Sequence, residues 1–126
     1  MLARSRLVAF VACRDLRIAG DFYGDVLGLP LVEASEFALV FDAAGTELRV
    51  TRVDTIVAAP YTVLGWRVES IDAAVDRLSS VGIQFARYQS LAQDERGIWT
   101  SPDGSRIAWF HDPDANTLSL QQPPRR

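Results

Sequence analysis

An internal repeat constrains this chain more than any other feature of its sequence. Asp15-Leu16 is matched by Ser70-Ile71 at an offset of 55, and Gly28 by Gly82 at 54. In the first copy, Leu7–Ala12 is a short apolar run of strand length. Asp15 can accept hydrogen bonds from the free amides of a following helix, so it reads as an N-cap. Leu16, Ala19, Phe22, Tyr23, Val26 and Leu27 recur at helical spacing and form one apolar stripe. Gly28 ends it, because glycine takes the left-handed cap cheaply. Strands are expected over Leu29–Ala34, Phe37–Phe41 and Glu47–Val53, with Asp42-Ala43-Ala44-Gly45 as a hairpin turn.

The order then restarts. Thr62–Val68 reads as a strand, Ser70 as an N-cap, and Ile71, Ala74, Val75 and Leu78 as a second stripe closed by Gly82. Ile83–Tyr88, Gly97–Ser101, Arg106–Phe110 and Thr117–Gln121 are candidate strands. Ser101-Pro102-Asp103-Gly104 and Asp112-Pro113-Asp114-Ala115-Asn116 are turns. Pro60 and Tyr61 read as linker, Gln89–Arg96 as an insertion in the second copy, and Gln122–Arg126 as a fraying tail. The pattern β-α-β-β-β thus occurs twice.

Composition narrows the function classes. The 126 residues suit a single domain, here of two modules, about 1–54 and 55–126. A lone cysteine, Cys13, excludes an internal disulfide, and a lone histidine, His111, excludes a multi-histidine metal centre. A net charge of −3 argues against nucleic acid as a partner. No apolar run approaches the roughly 18 residues that span a bilayer, so no membrane partner is expected. The apolar stretch after the basic Met1–Arg6 is too short for a secretory signal. A soluble, cytoplasmic protein is expected.

Three stretches resemble the vicinal oxygen chelate superfamily, the glyoxalase, bleomycin-resistance and extradiol dioxygenase group. They are Asp15-Leu16 with Phe22-Tyr23 and Val26-Leu27-Gly28, then Ser70-Ile71-Asp72-Ala73-Ala74-Val75, then Phe110-His111-Asp112-Pro113-Asp114-Ala115-Asn116-Thr117-Leu118. Ala115 departs from the glycine usual there; at positive φ an alanine would cost about 1 kcal/mol. The resemblance implies an α+β fold: two βαβββ modules forming an open, curved, eight-stranded mixed sheet or barrel with one helix behind each half, a single glyoxalase-like domain. It also implies a concave cup for small molecules, in many members with a divalent metal held by one ligand from each of four strands. Those positions fall at Val8, Val63, Ser119 and Arg49, the last shifting to Glu47 if the alignment slips. Valine has no lone pair and arginine is a fixed cation, so we expect no metal and no cofactor.

Strand alternation supplies the cup-side residues. Leu48, Val50, Leu118 and Leu120 suit the helix side, as do Leu64, Trp66 and Val68. Val8, Phe10, Glu47, Arg49, Val63, Arg67 and Ser119 then face the cup, with Trp109 and His111 assigned to it, and Trp99 and Tyr88 as walls. Such a pocket suits a partly aromatic ligand bearing an anion, since arginine binds carboxylate bidentately. Arg49 could instead pair with Glu47 on a solvated face. His111 is the one candidate acid or base, although a lone histidine at a turn is more often structural. Three readings stay open: a metal-free binding protein, a metal-dependent lyase, isomerase or dioxygenase, and a metal-free enzyme using His111. The partner expected is a small molecule. A homodimer is expected too, because an open shell leaves sheet edges to cover.

Overall fold

The structure is a computed structural model and describes residues 1–125; Arg126, the end of the expected fraying tail, lies outside the described residues. The chain divides into two compact units, one spanning Met1–Val57 and the other beginning at Ala58. Among the described residues, each unit carries one four-stranded mixed sheet and its own helix, the βαβββ plan twice. No helix among them is long and apolar enough to cross a membrane.

The first unit opens with a short 3-10 turn, Leu2–Arg4, then β1 (Val8–Cys13). Asp15 caps the next helix: its Oδ1 accepts from the amides of Arg17 at 2.9 Å and Ile18 at 3.1 Å. The helix is α over Leu16–Gly20 (α1) and π over Asp21–Val26, where the Leu27 amide donates to the Phe22 carbonyl five residues back. Gly28 then turns the chain at φ 77°. Strands β2 (Leu31–Ala34), β3 (Ala38–Ala43) and β4 (Thr46–Arg52) follow, in spatial order β1-β4-β3-β2, with β1 parallel to β4 and the other pairs antiparallel. Leu48 and Val50 are buried, as are Phe41, Ala19, Phe22 and Tyr23. The Tyr23 ring stands 5.1 Å from Phe22 and 6.2 Å from Phe41. Helix and sheet approach closely here: a Cβ on Gly20 would meet Leu39 Cδ1 at 3.1 Å.

The β3–β4 hairpin closes through Ala44 at φ 49° and Gly45 at φ 94°, both left-handed, a type I′ turn. The Gly45 amide donates to Asp42 Oδ1 at 2.8 Å. Glycine suits this geometry; Ala44 holds its Cβ there at a cost of about 1 kcal/mol.

The second unit starts with β5 (Thr62–Arg67) and α2 (Ile71–Ser80). Ser70 Oγ accepts from the Ala73 amide at 3.2 Å, and Gln122 Oε1 accepts from the Ile71 amide at 2.9 Å. At the far end the Ile83 amide donates to Leu78 O and the Gly82 amide to Ser79 O, a Schellman cap with Gly82 at φ 97°. Ile71, Val75 and Leu78 bury against a sheet face made of Ala108, Phe110, Leu118 and Leu120. That sheet is β6 (Trp99–Thr100), β7 (Arg106–His111) and β8 (Thr117–Gln122), in spatial order β5-β8-β7-β6.

Three sequence expectations need correction in this unit. Ile83–Tyr88 is not a strand: the Ala86 amide donates to Trp109 O, but no ladder forms, because the Ala86 carbonyl and the Tyr88 amide are taken up by the side chain of Gln93 and not by a neighbouring backbone. Gly97–Ser101 contracts to the two residues of β6. Gln122 does not fray; it ends β8, held through its side-chain bond to α2.

The Asp112–Asn116 turn is built around one carboxylate. Asp112 Oδ1 accepts from the amides of Asp114 and Asn116, both at 2.9 Å, and Oδ2 accepts from Asn116 Nδ2 at 2.8 Å. Ala115 sits at φ 65°, the strained geometry that its departure from glycine implied. On the outer face of α2, Asp72 receives Arg106 through two bonds of 2.8 and 3.0 Å and Arg96 at 3.0 Å, while Arg96 Nε reaches Asp76 at 3.1 Å. The Arg106 hydrogen bonds, aided by the charges of Arg106 and Arg96, hold the Asp72 carboxyl below its ordinary range.

Candidate ligand-binding site

The face of the second sheet turned away from α2 has a regular grid. Across β5, β8 and β7, Gly65 pairs with Ser119 and Ser119 with Trp109; Arg67 pairs with Gln121, Gln121 with Ile107, and Ile107 with Trp99 on β6. Side chains at paired positions share a face, so Trp99, Trp109, Ser119 and Arg67 lie on one surface. Tyr88 meets Trp109 edge-on, with centroids 5.5 Å apart and planes at 90°. Trp99 lies 6.2 Å from Trp109 with planes tilted by 32°. Such ring pairs are worth about 0.5–1.5 kcal/mol beyond their buried area. Beside them opens a pocket of about 280 Å³ lined by Tyr61, Tyr88, Leu91 and Trp109 together with the hydroxyl-bearing residues Thr62, Ser90 and Thr117. No charged side chain lines it.

The remaining sequence candidates are placed as follows. Ser119 is buried, and a Cβ on Gly65 would meet its Oγ at 2.8 Å, so the hydroxyl fills the space glycine leaves. Arg67 stands in a separate depression of about 430 Å³ with Glu69, Gln122, Pro123 and Pro124, and makes no ion pair among the described residues. Val63 falls where the β5–β8 register shifts, between Thr62 and Leu64, and so has no direct partner. His111 pairs with Thr117 at the exposed end of β7.

In the first unit, Val8 is opposite Glu47 and Phe10 opposite Arg49. Val8 and Phe10 are exposed, Phe10 at 64%. Arg49 Nη1 donates to Glu47 Oε2 at 3.4 Å, and Glu47 also borders a smaller pocket of about 240 Å³ with Arg6, Val32 and Phe41. The candidates therefore do not form one cluster within either unit: Trp99, Trp109 and Ser119 come together, Arg67 stands apart, and Arg49 is already matched by a carboxylate.

Sequence reasoning passed over Tyr61 and Thr117. Tyr61, with Pro60, was assigned to the linker, yet both line the aromatic pocket. The available signal was an exposed-type aromatic next to proline, where a plain linker carries small polar residues. Among the described residues, no group of three or more His, Cys, Asp or Glu side chains stands where it could hold a metal ion.

A sequence model of the Glyoxalase/Bleomycin resistance protein/Dioxygenase superfamily matches residues 6–120. The chain belongs to this superfamily. Solved structures agree with the glyoxalase-superfamily assignment. TnmS3, an antibiotic binding protein from Streptomyces sp. CB03234, is 25% identical, with 98% of each chain covered and a TM-score of 0.73. Lactoylglutathione lyase from Agrobacterium tumefaciens is 17% identical over 97% of this chain and 96% of its own, with a TM-score of 0.76. The fosfomycin resistance protein FosX from Listeria monocytogenes is 15% identical over 92% and 90%, with a TM-score of 0.72. The last two likenesses speak to the fold alone. No curated protein matches the chain.

Proposed function

We propose that this glyoxalase-superfamily protein binds a partly aromatic small molecule on the open face of its second sheet. The Tyr88–Trp109–Trp99 cluster carries the reading: three large rings converge beside a pocket lined in part by hydroxyl-bearing residues, the composition of a site for a flat ligand. The likeness to an antibiotic binding protein supports binding as the activity. Arg67 lies in a separate depression at the far end of β5, and Glu47 already pairs with Arg49, so an anionic group would meet Arg67 only on a ligand that extends along the sheet face from the aromatic pocket. The four positions that correspond to the family's metal ligands, Val8, Val63, Ser119 and Arg49 or Glu47, do not fit a divalent ion, which wants several imidazole, thiolate or carboxylate donors where these offer at most one, Glu47. No step is therefore routed through a metal. A homodimer belongs to the same proposal, on the support of the edge strands β1 and β5 with apolar Val8, Phe10 and Val63 exposed along them. So does a cytoplasmic location, which suits a chain whose one cysteine, Cys13, is a buried thiol.

The test is a calorimetric and tryptophan-fluorescence titration with 2-naphthoate, 2-naphthamide and divalent zinc, nickel and iron. Both naphthalenes should bind, and Trp109→Ala should weaken them by about tenfold or more. Neither Arg67→Met nor Arg49→Met should change the binding of either naphthalene, because both ligands are too short to reach from the aromatic pocket to Arg67. Stoichiometric metal binding that survives Arg67→Met, or indifference of both naphthalenes to Trp109→Ala, overturns the reading.

A further inference from the structure

We infer that Gln93 is the positioning residue of the aromatic pocket: its side-chain amide stands in for a missing strand and fixes Tyr88 against Trp109. The inference deepens the binding proposal and rests on it for its functional meaning. Gln93 is half-buried in the insertion, and all the hydrogen-bonding directions that matter are used. Its Oε1 accepts from the Tyr88 amide at 2.7 Å. Its Nε2 donates to the carbonyls of Ala86 and Gly97, each at 2.8 Å.

The pattern reproduces part of a strand pairing in Ile83–Tyr88, where no ladder forms. In a parallel pair, one residue's N–H and C=O reach the C=O and N–H of residues two apart on the neighbouring strand. The primary amide of Gln93 makes that pair of bonds to Ala86 O and Tyr88 N. The segment is also held by Ala86 N donating to Trp109 O at 2.7 Å. Tyr88 therefore gets its backbone position from one side chain and from the strand that carries Trp109.

The loop is shaped to present this amide. Gly97 turns at φ 91°, and a Cβ there would press on Phe85 Cβ at 3.1 Å. Asp94 Oδ1 accepts from the amides of Arg96 and Ile98, both at 2.9 Å. Arg96 then anchors the loop to α2 through Asp72 and Asp76. Shape alone does not explain Gln93: methionine has the same length but neither donor nor acceptor, and an ionised glutamate would turn an acceptor toward two carbonyls.

The experiment labels the three tyrosines, Tyr23, Tyr61 and Tyr88, with 3-fluorotyrosine and reads their fluorine resonances in the ligand-free protein. Tyr88→Phe assigns the Tyr88 line, the buried Tyr23 line reports that the first unit is intact, and a retained near-ultraviolet tryptophan circular dichroism signal, all three tryptophans being in the second unit, reports that the second is. In Gln93→Met and Gln93→Glu the Tyr88 resonance should move toward the free-tyrosine position while Tyr23 stays. Binding of 2-naphthoate should weaken by roughly five- to tenfold. A Tyr88 resonance unmoved in both variants, even with a lowered melting temperature, overturns the inference, because a purely structural role would leave the ring in place. If 2-naphthoate fails to bind the unsubstituted protein, the binding proposal falls, and the ligand-free resonances still decide the role of Gln93.

Discussion

The two sheets share one plan and differ in how their outer edges are made. In the first unit the edge strand β2 is four residues long and pairs through its backbone with β3. In the second, β6 keeps two residues, and the neighbouring extended segment is fastened by Gln93. Their open faces also diverge. Phe10 and Ala12 of β1 correspond, at the repeat offset, to Gly65 and Arg67 of β5. One face is apolar with its charge matched internally by Glu47 and Arg49; the other brings three aromatic rings together and leaves a cation unpaired among the described residues. What the copies keep are the caps and the helix-facing rows, which the core requires. What they vary are positions that packing leaves free.

That contrast can be pressed hardest through the shared part. Tyr23→Ala and Phe110→Ala each remove a fully buried ring from one unit and should each cost about 3–5 kcal/mol in denaturant unfolding. A much smaller loss in one would show that its helix and sheet are less tightly packed.

A middle-sized effect separates the units by pH. Asp72→Asn should destabilise by about 1 kcal/mol at neutral pH, a screened figure because the Asp72 side chain is 44% exposed. The folded protein holds this carboxyl below its usual value of 3.8, so the contribution is complete above about pH 4 and fades as pH falls through the lower folded value. Melting curves of parent and variant should converge under strong acid; a gap that widens there would give the opposite sign.

The smallest effects compare two strained turns. Ala44→Gly and Ala115→Gly each replace an alanine at positive φ and should stabilise by about 0.5 kcal/mol at most, the relieved strain of about 1 kcal/mol less the greater freedom of glycine in the unfolded chain. Unchanged or lowered melting temperatures would show that the surrounding hydrogen bonds, not the dihedrals, set the stability of the turns.

The sequence was most legible where local chemistry and burial agree. Asp15 and Ser70 act as caps, Gly28 and Gly82 take positive φ, and Leu48, Val50, Leu118 and Leu120 are buried while Glu47 and Gln121 are exposed. It was least legible where a side-chain bond replaces a backbone ladder. Ile83–Tyr88 has the composition of a strand, but its partner is an amide five residues beyond Tyr88. The register shift at Val63 and the π-helical turn after Gly20 leave the apolar periodicity nearly unchanged, so alternation alone does not reveal them. Aromatic Trp99 and Trp109 could be named in advance; the wall supplied by Tyr61 could not, because a residue ahead of a strand has no face until the chain is folded.

The parallel pairing of β1 with β4 has a consequence for how the chain is born. Val8 lies opposite Glu47, so at a ribosomal pace of about 5–20 residues per second the first strand waits several seconds for its partner to emerge. The β3–β4 hairpin, closed by two residues, can form as soon as it leaves the tunnel. During that interval a segment carrying Val8, Phe10 and Val11 is an unclaimed sheet edge open to a chaperone's cover, and β5 waits longer still, since Thr62 lies opposite Thr117, 55 residues on.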